Sequence, residues 1–196
     1  MTGFTPPAGV PAIEFQGVEK RFAARGSSAE VLAARDVTFS IAPGEVVSII
    51  GPSGCGKSTL LNMGSGLAKP SAGLVKVAGE LVTGPNEHVS FMLQKDLLMP
   101  WRTIRANVEL GLEIDGVAPE ERRRIAENLL ERCHLKGFGD HYPYQLSGGM
   151  RQRGALARTL AIDPQVLLMD EPFSALDAQT KMVLQEDLAE TLWEQK

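Results

Sequence analysis

An apolar run that leads directly into a glycine-rich loop constrains this chain more than any other feature of its sequence. Residues 45–50 read EVVSII, and GPSGCGKST follows at 51–59, ahead of a stretch that is predicted to be helical. Such a run is typical of a strand buried on both faces of a parallel sheet. The spacing Gly51-x-x-x-x-Gly56-Lys57-Ser58 is that of a Walker A loop, which binds nucleotide phosphates.

Each part of this loop has a chemical reason to be there. The glycines let the backbone N–H groups converge on phosphate, and the start of the next helix adds positive potential. Lys57 is expected to reach the β- and γ-phosphates, and the Ser58 hydroxyl to ligate Mg²⁺. The alternative is a glycine-rich turn with an incidental lysine. We predict a site for a magnesium nucleotide that is formed by Gly51, Pro52, Ser53, Gly54, Cys55, Gly56, Lys57, Ser58 and Thr59.

Two acidic residues end a second apolar run. VLLMDE places Asp170 and Glu171 after a predicted strand. Asp170 is expected to hold Mg²⁺ through water, which leaves Glu171 to act as general base on the attacking water. The alternative is a solvated turn after a strand.

A second glycine loop follows nearly a hundred residues after the first. In QLSGGMRQR (145–153), Ser147, Gly148 and Gly149 open a predicted helix. Their N–H groups could bind an anion. Ser147 could equally be an ordinary helix N-cap, and these three residues alone favour the cap.

The remaining pattern predicts an α/β fold. Short β-forming runs occupy AIEFQGVEKRF and VLAARDVTFSI, GLVKVAGELVTG resembles a hairpin, and APEERRRIAENLLERCHL and MRQRGALARTLAI resemble helices. A further amphipathic helix is predicted at 178–195. We expect a flexible tail at 1–11, a parallel α/β core at 12–94 and 162–196, and a mainly helical insertion at 95–161.

Composition narrows the function classes. A net charge of −4 argues against a nucleic-acid partner, and two cysteines with no metal spacing favour a reducing compartment. The N-terminus does not resemble a signal peptide, and no apolar run is long enough to span a bilayer. Any role at a membrane must then come through a partner.

Taken together, the motifs resemble the ATP-binding subunit of ABC transporters. Walker A is followed by Gln94 in FMLQKDLLMPW, then by LSGGM, LLMDEP and SALD (174–177), in that family's order. The resemblance implies a P-loop ATPase core with an N-terminal antiparallel β part and an inserted helical subdomain. It also implies a head-to-tail homodimer in which each ATP lies between Walker A of one subunit and the second glycine loop of its partner.

The resemblance also implies roles for single residues. Phe22 would stack on adenine, although packing in the core is an equal alternative. Gln94 would contact Mg²⁺ and the attacking water, and Asp177 would reach across the dimer interface. The segment KDLLMPWRT would line a groove for a helix of the membrane permease. We expect its apolar residues to be exposed there, with burial as the alternative for some: Leu97, Leu98, Met99 and Trp101.

LLMPWRTIRANVELGLE and VTGPNEHVSFMLQ are most similar to the nitrate, sulfonate and taurine importers. This implies a subunit on the cytoplasmic face of the bacterial inner membrane, associated with permease subunits and indirectly with a periplasmic binding protein. The alternative is a soluble ABC-type ATPase of DNA repair or translation. Such proteins carry long coiled-coil arms or a second Walker A, and this sequence shows neither.

The sequence departs from the family pattern in two places. Met150 stands where many relatives have glutamine. The family also has a histidine about thirty residues after the Walker B glutamate, whereas His88, His134 and His141 all precede Glu171. From this we expect that the C-terminal end is truncated and that hydrolysis by this chain is impaired.

Overall fold

The structure is a computed structural model that describes residues 9–23, 30–173 and 181–182. Its contacts divide the described residues into two units. The first unit contains the residues up to Phe91 together with Pro164–Asp170. The second contains Met92–Asp163 and the described residues from Glu171 onward. The predicted boundaries of core and insertion stay a prediction.

An antiparallel sheet forms much of the first unit. Strand β1 (Ile13–Ala23) pairs with β2 (Glu30–Ile41) on one edge and with β3 (Ala72–Val77) on the other, and β3 pairs with the short β4 (Glu80–Leu81). The sheet order is therefore β2-β1-β3-β4. The β-forming runs and the hairpin predicted from the sequence are present, because alternating apolar residues and a turn at Ala78–Gly79 specify them locally.

Helix α1 (Lys57–Gly64) packs on this sheet and starts where the phosphate loop ends. Strands β5 (Val89–Met92) and β6 (Val166–Met169) form a separate two-stranded sheet. The apolar core joins β1, β3, α1 and β6. Its fully or nearly fully buried members are Ile13, Phe15, Val18, Met63, Val75 and Val77.

The second unit is mainly helical, as the sequence predicted for this part of the chain. Among its described residues are the helices α2 (Ile104–Val108), α3 (Leu110–Ile114), α4 (Pro119–Arg132) and α5 (Gly148–Leu160), and a 3-10 turn at Pro143–Gln145. Helix α4 begins with proline at its first position, as expected, and buries Leu129 and Leu130 on its apolar face. The predicted helix at 178–195 lies outside the described residues, apart from 181–182.

The strand predicted at 45–50 is wrong for this structure. These residues have no regular secondary structure, and Val46 and Ile50 are 75% and 92% exposed. A strand needs hydrogen-bond partners from a neighbouring strand, and within the described ranges none pairs with this segment. Apolar, β-branched composition predicts where a strand is favourable but does not supply its partner.

No helix among the described residues is long and apolar enough to cross a membrane.

A buried amide holds the segment that leads into α2. Asn107 is fully buried, and its Oδ1 accepts a hydrogen bond of 2.7 Å from the N–H of Met99. Its Nδ2 lies within 3.2 Å of the carbonyl oxygens of Met99, Arg102 and Thr103, so its two hydrogens satisfy three acceptors. Asn107 therefore supplies main-chain groups of residues 99–103 with the hydrogen-bond partners that regular secondary structure supplies elsewhere.

We predict that Asn107→Leu lowers the free energy of unfolding by at least about 2 kcal/mol, because it leaves the N–H of Met99 and partly buried carbonyls unpaired. Urea denaturation measures this change. Asn128→Leu, at an exposed position on α4, is the matched control and should change stability by less than about 0.5 kcal/mol. Equal effects of the two variants would contradict the structural role of the buried amide.

Candidate functional site

The phosphate loop is exposed, and its lysine is turned onto the loop itself. Lys57 Nζ donates hydrogen bonds of 2.9 Å to the carbonyl of Gly51 and 3.0 Å to that of Pro52. Residues 51–55 are exposed, and Lys57 itself is the first residue of α1. The ammonium group is thus held over the loop by weak neutral acceptors, which a phosphate oxygen could replace with a stronger charge-assisted bond.

Two glycines in this loop are close to other atoms, and at Gly56 the neighbour is backbone that leaves no room for a side chain. Gly56 is the N-cap of α1 with φ of 102°, and a Cβ there would overlap the carbonyl oxygen of Ala33. A Cβ at Gly51 would lie 2.7 Å from Cys55 Sγ. The curl of the loop therefore depends on glycine, which is the property that lets backbone N–H groups approach phosphate.

The residues present suit a magnesium nucleotide. The first unit carries the ammonium of Lys57 for phosphate, together with the Ser58 hydroxyl and the Asp170 carboxylate. Hydroxyl and carboxylate oxygens are the hard ligands that Mg²⁺ prefers, usually with phosphate and water completing its shell.

The second unit brings Gln94 and Glu171 together. Gln94 Nε2 donates a hydrogen bond of 3.0 Å to Glu171 Oε2, across 77 residues of sequence. Strand β6 ends at Met169, and the chain turns sharply at Glu171, which has φ of 48°. A left-handed conformation at a residue other than glycine is uncommon and is enriched at functional sites. A turn therefore follows this strand, as the alternative interpretation required, while the roles of Asp170 and Glu171 in catalysis stay a prediction.

The second glycine loop is a helix start. Ser147 is the N-cap of α5, and its Oγ accepts a hydrogen bond of 3.2 Å from the N–H of Met150. The N-cap interpretation of Ser147 is thus correct. Ser147 and Gly148 are exposed, so this cap leaves the start of the helix open to an anion.

Phe22 is not a core residue. It lies on β1, is 46% exposed, and has the Lys20 ammonium 5.2 Å from its ring centroid. This excludes the core alternative and leaves the ring surface open, while its stacking on adenine stays a prediction. Asp177 lies outside the described residues.

The apolar segment after Gln94 is only partly exposed. Leu97 and Trp101 are 54% and 73% exposed, as expected for a groove. Leu98 is 7% exposed, so the expectation of exposure is wrong for this residue. The chain turns between the two leucines, where Leu97 has φ of 44°, and this directs one side chain inward.

Three charged side chains around these candidates were not singled out from the sequence. Arg151 and Arg158 of α5 both contact residues 96–97, and Arg151 pairs with the Asp96 carboxylate. Burial lowers the pKa of the Arg158 guanidinium, against an opposing effect of Asp96. The signal was available, because the two arginines are seven residues apart and so share one helix face.

The comparisons with known proteins point to one family. The profile of the family described as ABC transporter matches residues 34–174. The dimeric ATP-binding cassette MJ0796, bound to ADP and Pi in a post-hydrolysis state, superposes with a TM-score of 0.85 at 34% identity. That alignment covers 93% of this chain and 84% of the cassette.

The chain belongs to the ABC transporter family. The predicted family, its ATPase-cassette class and its α/β fold are confirmed by these matches. Curated relatives are the uncharacterized ABC transporter ATP-binding protein MJ0412 of Methanocaldococcus jannaschii, 44% identical, and the taurine import ATP-binding protein TauB of Yersinia pestis, 48% identical. They align over 94% and 82% of this chain. The chain spans 68% and 63% of their own lengths.

We predict that Gly56→Ala destabilises the protein more than Gly54→Ala. Both glycines have positive φ, 102° and 81°, so each alanine carries the left-handed strain of about 1–2 kcal/mol. Only the methyl group at 56 also meets backbone, which should add about 1–3 kcal/mol. Chemical denaturation of both variants gives the difference. Equal losses would show that the carbonyl of Ala33 can move away.

Proposed function

We propose that this chain is the ATP-binding and hydrolysing subunit of an ABC importer. The observation that carries the proposal is the 3.0 Å hydrogen bond between Gln94 and Glu171. The family resemblance assigns both side chains to the attacking water, and here they are in contact although 77 residues separate them in sequence. Glu171 also lies in a left-handed turn, a conformation that is enriched at functional sites.

The residues divide the chemistry between them. Lys57 and the loop N–H groups hold the phosphates of ATP, and Phe22 stacks on the adenine. Ser58 and Asp170 would hold Mg²⁺, which when bound would supply positive charge to the phosphates. Gln94 orients the attacking water, and Glu171 accepts its proton.

The second loop serves a partner subunit. Ser147, Gly148 and Gly149 contact the γ-phosphate of ATP on a second copy of the chain, and Asp177 contributes across the same interface. The dimeric state of the MJ0796 cassette supports this proposal. ATP then stabilises the dimer, and hydrolysis releases it.

The partners outside the dimer are permease subunits at the cytoplasmic face of the bacterial inner membrane, which receive Leu97 and Trp101. A periplasmic solute-binding protein takes part indirectly, and nucleic acid does not. The similarity to TauB supports a solute of the nitrate, sulfonate and taurine group.

We predict that Lys57→Ala weakens ATP binding, measured by calorimetry, by about 1.5–3 kcal/mol, the worth of a hydrogen bond to a charged group. Lys69→Ala removes the same charge at an exposed position of the first unit and should leave the affinity unchanged. If both variants bound ATP as the parent chain does, Walker A would not be the nucleotide site.

We predict that Glu171→Gln keeps ATP affinity and lowers the rate of phosphate release by about a hundredfold or more, because an amide cannot accept the proton of water. The exposed Glu120→Gln is the control and should hydrolyse ATP at the parent rate. Sedimentation with MgATP should show the Glu171→Gln chain as a dimer. Normal turnover of this variant would place the general base elsewhere.

The importer assignment is separable from the ATPase assignment. Detergent extracts in which this chain co-purifies with a permease support the importer. A chain that hydrolyses ATP but is recovered with DNA-repair or ribosomal components supports the alternative soluble ATPase.

A further inference from the structure

The segment that carries Gln94 is held by side chains and not by regular structure. Residues 93–99 form neither helix nor strand. The amide that contacts Glu171 therefore depends for its position on the bonds made by the residues that follow it.

Asp96 is the residue with most of these bonds. Its Oδ1 accepts a hydrogen bond of 3.2 Å from the N–H of Leu98, and its Oδ2 accepts one of 3.1 Å from Arg151 Nε. Arg158 donates to the main-chain carbonyls on this turn, at 2.8 Å to Asp96 and 2.7 Å to Leu97. The Asp96 carboxylate thus holds the turn through a bond to the turn's own main chain, and arginines of α5 hold it through bonds from the helix.

Arg151 links this turn to the second glycine loop. While its Nε reaches Asp96, its Nη1 donates a hydrogen bond of 2.9 Å to the carbonyl of Leu146, the residue before Ser147. One planar guanidinium therefore holds two loops, a geometry that a lysine could not reproduce. Gln152, the next residue of α5, points its amide at the carbonyl of Gln94 at 3.5 Å.

We propose that Arg151 and Asp96 are positioning residues for hydrolysis, which hold Gln94 against Glu171. This proposal rests on the proposed function, because it needs Gln94 and Glu171 to act in turnover. Neither residue belongs to the phosphate loop, so their loss should reduce the rate and leave the binding of ATP to that loop intact.

The kinetic test compares Arg151→Gln, Asp96→Asn and the double variant with the parent chain. Each single variant should lower kcat on the order of tenfold to a hundredfold, as misplacement of a reacting group does. KM for ATP should stay within about twofold of the parent value, because the variants leave the ATP-binding residues of the phosphate loop unchanged. The double variant should be no slower than the slower single variant, since both break the same link.

Arg153→Gln is the matched control. It removes an arginine from the same helix, but Arg153 donates to the carbonyl of His134 and not to residues 94–98. Its kcat should stay within about twofold of the parent value. The proposal is overturned if the single variants keep the parent kcat, or if the loss of kcat in the double variant equals the product of the two single losses. It is also overturned if kcat falls only in proportion to the melting temperature.

Hydrogen exchange tests the same link without turnover. A peptide that covers residues 93–99 should exchange faster in Arg151→Gln than in the parent chain, and at the parent rate in Arg153→Gln. Equal exchange in all three proteins overturns the proposal. A parent chain that does not bind ATP would instead contradict the proposed function, and the exchange result would still decide whether Arg151 holds this segment.

Discussion

The close packing of α1 against the first sheet is the constraint on which the phosphate loop depends. Met63 is fully buried, and a Cβ at Gly64 would lie 3.1–3.3 Å from side chains of Ile13, Phe15 and Leu168. A larger residue at 64 would push the helix away from β1 and β6. Because α1 begins at Lys57, directly after the loop, that packing also sets where the loop must end and where its lysine starts.

Helix α5 has the corresponding place in the second unit, but it uses charge where α1 uses apolar contact. Its apolar side buries Ala155, Leu156 and Ala157, while Arg151 and Arg158 reach the turn at Asp96 and Leu97. Arg158 gives up part of its hydration to do so, which is why burial lowers its pKa. A desolvated guanidinium is costly unless its N–H groups are paired, and here two main-chain carbonyls pair them.

Sequence patterns predicted the elements whose causes are local. Pro119 and the apolar spacing after it specify α4, and Ser147 specifies the start of α5, because caps and periodicity act within a few residues. Residues 45–50 failed as a strand because pairing is decided by a distant partner, which composition does not reveal. The expected exposure of the apolar residues after Gln94 was partly wrong for a similar reason. Leu97 and Leu98 are chemically equal in sequence, and only a left-handed turn at Leu97 separates an exposed side chain from a buried one.

The contact between Gln94 and Glu171 separates what the motifs predicted from what they did not. The motifs named both residues and assigned them to one water molecule, a role that stays a prediction. They did not reveal how a glutamine in a segment without regular structure keeps its place, since that depends on Asp96 and on arginines more than fifty residues away. Glu171 is itself held in a left-handed conformation, which such residues adopt only when their surroundings impose it. A glutamate with a left-handed backbone on one side, and a glutamine whose segment is held by an ion pair and hydrogen bonds on the other, have little freedom to rearrange. Such preorganisation avoids reorganisation during the reaction, which favours catalysis over mere binding.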